Sequence, residues 1–291
     1  MNRRNLLKLV AGAVLLPSRV GAESLTIGRP LMGTYFEIKT FTDNPQAFKK
    51  AETEAFALAE KINSVASDYI ADSEILSFSK LPHCKPHPVS EILFSLLLEA
   101  KELAIRTHGN FDPTLGPLTK LWRESRRRKK LPDQEKLKRA LAASGHDHLL
   151  LDPKERTLTF AVSGMRLDLG GIAKGQTADA MLAVFKKHNL PQTSITCGGD
   201  VRVGDPPPSK THWLIGIKNS EKREAKPLEL VNSAVSTSGD LHQFIEIDGK
   251  RYSHIIDPKT GLGLTEAKSA TVTAPTAAES DALATAKCVA G

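Results

Sequence analysis

Apolar residues recur along the chain with two periods, and the changes between them divide it into elements. From Pro45 onward, Phe48, Ala51, Ala55, Leu58, Ile62 and Val65 fall three or four apart, which predicts an amphipathic helix of about five turns. Ile92, Leu93, Leu96, Leu97, Ala100, Leu103 and Ala104 predict a second helix over 89–106, ended by His108-Gly109-Asn110. A short helix opens at Asp133 and runs through Leu137, Ala140, Leu141 and Ser144. Ala178, Met181, Leu182 and Phe185 mark another, and Thr276 with Glu279 forms a capping box that starts the last one. Short apolar runs predict strands at 25–27, 35–40, 194–196 and 270–273, and a hairpin of 149–151 with 158–161 around Asp152-Pro153. Runs at 213–217, 234–237, 244–247 and 252–256 read as a meander, with Asp248-Gly249 at one of its turns.

The stretch RLDLGGIAKGQTAD, Arg166 to Asp179, joins the two periods. Arg166 to Leu169 alternates like a half-buried strand, Gly170-Gly171 offers the φ freedom for a sharp turn, and the helix bearing Ala178 follows. Such a turn aims unpaired backbone N–H groups and a positive dipole end at whatever lies above it, which suits a phosphate, and Lys174 adds a point charge. The spacing matches neither standard nucleotide-binding fingerprint, so an ordinary tight strand-to-helix turn is the alternative. Two more glycine turns follow, Cys197-Gly198-Gly199-Asp200 and Ser236 to Asp240; each lets backbone approach a bulky ligand. Gly33, between two strands, reads as a turn or bulge.

Composition alters this picture mainly at the N-terminus. Arg3, Arg4 and Lys8 precede the apolar run Leu9 to Leu16, and Val20-Gly21-Ala22 is a small-residue cleavage site, so residues 1–22 read as a removable export signal. Arg3-Arg4-Asn5-Leu6-Leu7-Lys8 is twin-arginine-like; an ordinary secretory signal is the alternative, and an uncleaved anchor ranks third because the run is about half the ~20 residues a spanning helix needs. The mature chain is then expected to lie on the periplasmic side of the inner membrane. Losing that segment lowers the formal charge from +7 to +3, which removes the main support for a nucleic-acid partner. One basic run remains: six of the eight residues from Arg123 to Lys130 are Lys or Arg, read as a solvated linker or, less favoured, a docking patch for an acidic partner. Three cysteines, Cys84, Cys197 and Cys288, allow at most one disulfide and so form no framework.

Several positions offer chemistry. His83 and His87 flank Cys84, but their spacing fits no common zinc site and three prolines around them indicate a loop. Tyr69 lies in a polar segment, where it either caps the core or stacks on a ligand. Asp112 precedes Pro113, which holds its backbone extended and fixes a carboxylate. His254 ends an apolar strand with Asp257, another acid before a proline, three residues on; it is a candidate base or a buried strand histidine. Asp281 and Thr285 lie four apart on one helix face, a hard-oxygen pair suited to Mg²⁺ or, for the acid alone, a partner of the helix dipole.

Eight motifs in one order resemble the FAD:protein FMN transferase family, the ApbE-type flavin transferases: MGTYFEI at Met32, SDYIADSEI at Ser67, GNFDPTLGPLTKLW at Gly109, LDLGGIAKG at Leu167, CGGD at Cys197, STSGD at Ser236, HIIDPKTG at His254 and DALATA at Asp281. The resemblance runs from Met32 to the C-terminus. It implies an α+β class, a mixed α/β two-lobed fold in which FAD lies in a cleft between lobes, formed by one domain over 23–291. It implies Mg²⁺ held by Asp281, Thr285 and the Ala173 carbonyl. It implies flavin or pyrophosphate contacts from Met32, Tyr69, Asn110, Phe111, Asp112, Asp168, Gly170, Gly171, Lys174, Ser238, His254 and Ile255, with Tyr69 against a ring. The implied reaction moves FMN from FAD to a Ser or Thr hydroxyl of an acceptor protein and releases AMP, with His254 as candidate base and Asp257 orienting it or sharing the metal's surroundings. Alternatives are FAD hydrolysis to FMN and AMP, or a periplasmic flavin-binding protein without turnover. Expected partners are FAD and an acceptor flavoprotein, with peripheral membrane association through that acceptor and no nucleic acid. The chain departs from the family at Gln176, where relatives often carry an aromatic, and ends at Gly291, six residues past Thr285, so the metal-bearing helix is expected to fray.

Overall fold

In the computed structural model, which describes residues 23–217, 226–239 and 243–291, the two apolar periods become a six-stranded antiparallel sheet backed by helices. The export segment read at 1–22 and Asp240 of the third glycine turn lie outside those residues. The chain runs β1 (Glu23–Leu31), β2 (Thr34–Thr42), α1 (Pro45–Ala66), α2 (Glu74–Ser77), β3 (His87–Pro88), α3 (Glu91–Arg106), α4 (Gly116–Arg128), α5 (Gln134–Ala142), β4 (Leu149–Asp152) and β5 (Thr157–Phe160). It continues through α6 (Ala173–Lys187), β6 (Thr193–Cys197), β7 (Asp200–Val203), β8 (Trp213–Ile215), β9 (Leu228–Leu230), β10 (Ala234–Gly239), β11 (Phe244–Ile247), β12 (Lys250–Ser253), β13 (Ser269–Ala274) and α7 (Ala277–Ala290).

The main sheet has the order β1-β2-β6-β7-β10-β13. Phe36, Ile38 and Thr40 of β2 face inward, and α1, α6 and α7 cover that side with Ala51, Ala55, Phe56, Ala178, Met181, Phe185 and Ala277. A second core lies on the far side of these helices, where Leu93, Leu97 and Leu103 of α3 meet Leu149, Leu158, Leu167 and Ala282. β3, β5 and β4 close it as a small antiparallel sheet. A third cluster seats α4 through Leu118 and Trp122 against the β11–β12 hairpin. Both helices that matter most to function are pinned at their ends. Asp179 of α6 accepts the Ala277 and Ala278 amides at 3.1 and 2.9 Å, tying the start of α7 to α6. A Cβ on Gly175 would meet the Ala277 carbonyl at 2.2 Å, so glycine there lets the two helices cross in backbone contact.

Four sequence expectations change. Arg166 to Leu169 is extended and keeps its alternation, with Leu167 and Leu169 buried, but makes only a bridge between Leu115 and Arg166 instead of a strand. Its neighbour there includes Pro113, which accepts the Asp168 amide at 2.8 Å and has no N–H to return, and then the start of α4. The basic run Arg123 to Lys130 lies mostly in α4, because Leu118 and Trp122, four apart, bury one face and leave the charges on the other. The meander does not form: β8 pairs with β9, β11 with β12, and β10 joins the main sheet between β7 and β13. β10 also runs through the third glycine motif, with Gly239 opposite Ser269, so Ser236 to Gly239 is strand where a turn was expected. In α1 the buried stripe takes in Glu52, fully covered and paired with Arg29 and Lys49; burial pushes its carboxyl up, but bonds from the two cations outweigh this and hold it low.

Candidate functional site

One cleft of about 890 Å³ opens where the sheet, α4, α6, α7 and the segment after β12 converge. Met32, Tyr69, Asn110, Phe111, Asp112, Asp168, Gly170, Gly171, Ala173, Lys174, Ser238, His254, Ile255, Asp281 and Thr285 all line it. Of the side chains that the resemblance assigns to the site, Asp257 is the one that does not. These side chains come from positions more than two hundred residues apart, so the clustering is a product of the fold.

The floor is an ionic node. Lys174 Nζ lies 3.0 Å from Asp281 Oδ2 and 3.4 Å from Asp200 Oδ2, and the Gly175 amide also points at Asp281 Oδ2, at 3.4 Å. Burial lowers the pull of Lys174 for its proton, but the two carboxylates outweigh it and fix the ammonium charge. The Asp200 carboxyl is also pushed up, to about 6, by burial and then by the Asp281 charge, against Lys174; the upward shift favours its neutral form. Its Oδ2 is buried and accepts no hydrogen bond. Thr285 stands beside Ser238, with their hydroxyls 3.2 Å apart, and against Gly171. Among the described residues no three His, Cys, Asp or Glu gather to hold a metal on their own. The floor nevertheless fits a hard divalent cation: the available ligand atoms are oxygens, and the buried Asp200 Oδ2 accepts no hydrogen bond, facing the Lys174 ammonium that already sits between the two acids. Asp200 was not singled out from the sequence; an acid opening a strand directly behind a double glycine was the available signal.

The glycine turn works differently from the sequence expectation. Neither Gly170 nor Gly171 has a positive φ. Gly170 instead needs to be small because a Cβ would stand 3.0 Å from Asp168 Oδ1, which accepts the Gly170 amide at 2.7 Å. The amides of Ile172 and Ala173 are taken by the Leu169 carbonyl, at 3.0 and 2.8 Å. The start of α6 therefore has its amides largely satisfied, and Lys174 is the stronger anion-binding feature. Met32 reaches the cleft by a different device: with φ of 51° and 72°, Met32 and Gly33 form the two-residue turn of the β1–β2 hairpin.

The opposite rim carries Tyr69, 78% exposed, with the Arg123 guanidinium 4.1 Å from its ring centroid. Arg123 also donates to Asp68 at 2.5 Å and lies 3.7 Å from Asp168. Burial, and then the Asp168 charge, raise the Asp68 carboxyl, with Arg123 opposing them. Deeper in, Asp112 is held by the Thr114 amide and hydroxyl at 2.7 and 2.6 Å and by the His146 amide at 2.8 Å.

His254 follows β12, its amide 3.0 Å and its Nδ1 3.2 Å from the Gln243 carbonyl. Asp257 neither orients it nor reaches the floor. Its carboxylate accepts the Lys259 amide at 2.8 Å and the Thr260 hydroxyl at 3.2 Å, and its carbonyl accepts the Gly261 amide. The Asp-Pro pair is thus committed to closing its own turn. Gln176, the departure noted above, points away from the cleft and donates to the Leu96 carbonyl and Glu99 at 3.0 and 2.9 Å. Among the described residues no helix is long and apolar enough to cross a membrane.

Three comparisons bear on this site. The ApbE family model matches residues 32–291. A Treponema pallidum protein named FAD:protein FMN transferase is 32% identical over 279 residues, covering 90% of this chain and 77% of its own, and a Vibrio cholerae protein of the same name is 31% identical, covering 99% and 88%. Among solved structures, the flavin transferase ApbE of Vibrio cholerae superposes with a TM-score of 0.82 at 32% identity, covering 92% of this chain and 87% of that one. The ApbE protein of Thermotoga maritima does so with a TM-score of 0.81 at 30% identity, over the same shares.

Proposed function

The chain belongs to the ApbE family, and from that premise we propose that it is an FAD:protein FMN transferase, moving FMN from FAD to a Ser or Thr hydroxyl of an acceptor protein and releasing AMP. The observation that carries the reading is the ammonium of Lys174 held between Asp281 and Asp200 beneath a cleft large enough for a dinucleotide. Such a transfer needs charge on the pyrophosphate offset and a nucleophile aligned, more than it needs covalent help from the protein. Asp281, Thr285 and the Ala173 carbonyl would hold Mg²⁺, which when bound supplies divalent charge to the phosphate oxygens.

Lys174 adds a second, fixed cation there. His254 prepares the nucleophile: a carbonyl only accepts, so the Nδ1 facing Gln243 carries the proton and Nε2 the lone pair. Nε2 takes the hydroxyl proton of the acceptor; the hydroxyl oxygen bonds to the FMN-side phosphorus as the bond to AMP breaks, and AMP leaves with the electron pair. Tyr69 and Met32 flank the cleft where the flavin would lie. The export signal read at 1–22 supports a periplasmic setting for this activity, with an acceptor at the membrane.

The test mixes mature protein, FAD, Mg²⁺ and a candidate acceptor. Transfer yields acceptor that stays fluorescent through a denaturing gel, with one AMP per flavin attached. Free FMN without labelled protein would mark a hydrolase, and neither product a binding protein; both results contradict the proposal.

A further inference from the structure

We propose that Arg123 is a positioning residue that ties Tyr69 and Asp168 into one rigid platform on which a flat ring of the dinucleotide stacks. The inference rests on the FAD reading above and adds a residue to it. Tyr69 follows a bend after α1 and is 78% exposed, so by itself it would pivot among rotamers and lose entropy on binding a ring. Arg123 removes that freedom. Its guanidinium lies 4.1 Å over the Tyr69 ring, close enough for a cation–π contact, while Nη1 is held by Asp68 at 2.5 Å. Asp68 is an immobile anchor, its side chain 5% exposed, and Nη2 faces Asp168 at 3.7 Å.

The base of this arrangement is equally fixed. Trp122, the residue before Arg123, is buried and donates to the Ser253 carbonyl at 2.9 Å, which locks α4 to the strand that precedes His254. Asp168 in turn accepts the Gly170 amide, so one guanidinium connects the ring-binding rim to the phosphate-side turn. A basic helix that the sequence offers as a linker thereby becomes part of the binding wall.

The experiment titrates FAD into the protein and follows the quenching of flavin fluorescence, which reports a ring stacked on tyrosine, in wild type, Arg123→Lys, Tyr69→Ala and the double variant. Lysine keeps a cation for Asp68 but cannot lie flat on the ring. Arg123→Lys should weaken FAD binding about 5–10-fold and reduce the quench. It should raise the KM for FAD while leaving kcat within about twofold. The effect should vanish in the Tyr69→Ala background and persist in Tyr69→Phe, which keeps the ring. Arg123→Gln serves as the second variant if lysine unfolds the chain. Unchanged affinity in either Arg123 variant, or an equal loss with and without the Tyr69 ring, overturns the inference and leaves the FAD reading standing. A wild-type protein that does not bind FAD overturns both.

Discussion

Lys174 and Asp281 sit on crossing helices with the ammonium 3.0 Å from the carboxylate, and the crossing is set one residue away, where Gly175 meets the Ala277 backbone. Packing and chemistry are therefore the same feature here. Substituting Gly175 by Ala puts a methyl at 2.2 Å from a carbonyl oxygen that cannot retreat far, so Gly175→Ala should cost about 1–3 kcal/mol or more. Chemical denaturation would show the midpoint fall, and FAD binding should weaken with it.

Removing the ammonium exposes the two acids to each other. Lys174→Met should lower kcat/KM about 10²–10³-fold, the usual size of losing one group aimed at developing charge. It should also make the melting temperature rise with added Mg²⁺ more than in wild type, because a divalent cation can replace the lost charge. A melting temperature indifferent to Mg²⁺ in Lys174→Met would argue against a cation site at this floor.

His254 and Asp257 should separate cleanly. His254→Ala should reduce kcat about 10²–10⁴-fold, a loss larger than any in FAD affinity, as expected for loss of a positioned base. Asp257→Asn should leave kcat nearly unchanged and cost about 1 kcal/mol of stability, since its carboxylate serves the Lys259–Gly261 turn. Steady-state kinetics beside thermal melting distinguishes the two; a large kcat loss in Asp257→Asn with normal melting would return that acid to the chemistry.

Asp200 gives the metal-free protein a pH dependence. Its folded-state pKa, up to about 6 from 3.8, lies above the unfolded value, so the stability it contributes is full below about pH 4 and is lost as pH rises through about 6. Asp200→Asn removes the titration. In chelator, the variant's melting temperature should gain on wild type between pH 4 and 6 and hold that gain above it.

The sequence was most informative where one local pattern sufficed. The α1 and α3 stripes, the Asp133 and Thr276 caps and the Asp248-Gly249 turn all form. What it hid depends on partners distant in sequence. The helix carrying Arg123 looks like a charged linker because its apolar face is short, Leu118 and Trp122 with Leu121 beside them, and its burial depends on a hairpin more than a hundred residues later. The start of β10 reads as strand in the sequence, but its later part, Ser236 to Gly239, looked like a turn because Ser-Thr-Ser-Gly suits loops, and pairing with β13 keeps it extended. The cleft itself was legible through ordered motifs; Asp200 closes one of them, CGGD, but its role and that of Arg123 emerge only when the fold sets them beside Lys174, Asp168 and Tyr69. For Asp257 a proline-fixed carboxylate suggested chemistry, and the turn that it closes claims both its oxygens.

Binding linkage tests, without turnover, the proposal that Asp281 gathers a divalent cation where the FAD pyrophosphate would lie. FAD affinity is measured by fluorescence with and without Mg²⁺, in wild type and Asp281→Asn. Mg²⁺ should tighten FAD binding in wild type by about tenfold or more, within the usual range of coupling between two ligands, and should leave the variant's affinity unchanged. Equal tightening in both proteins, or none in wild type, would contradict it.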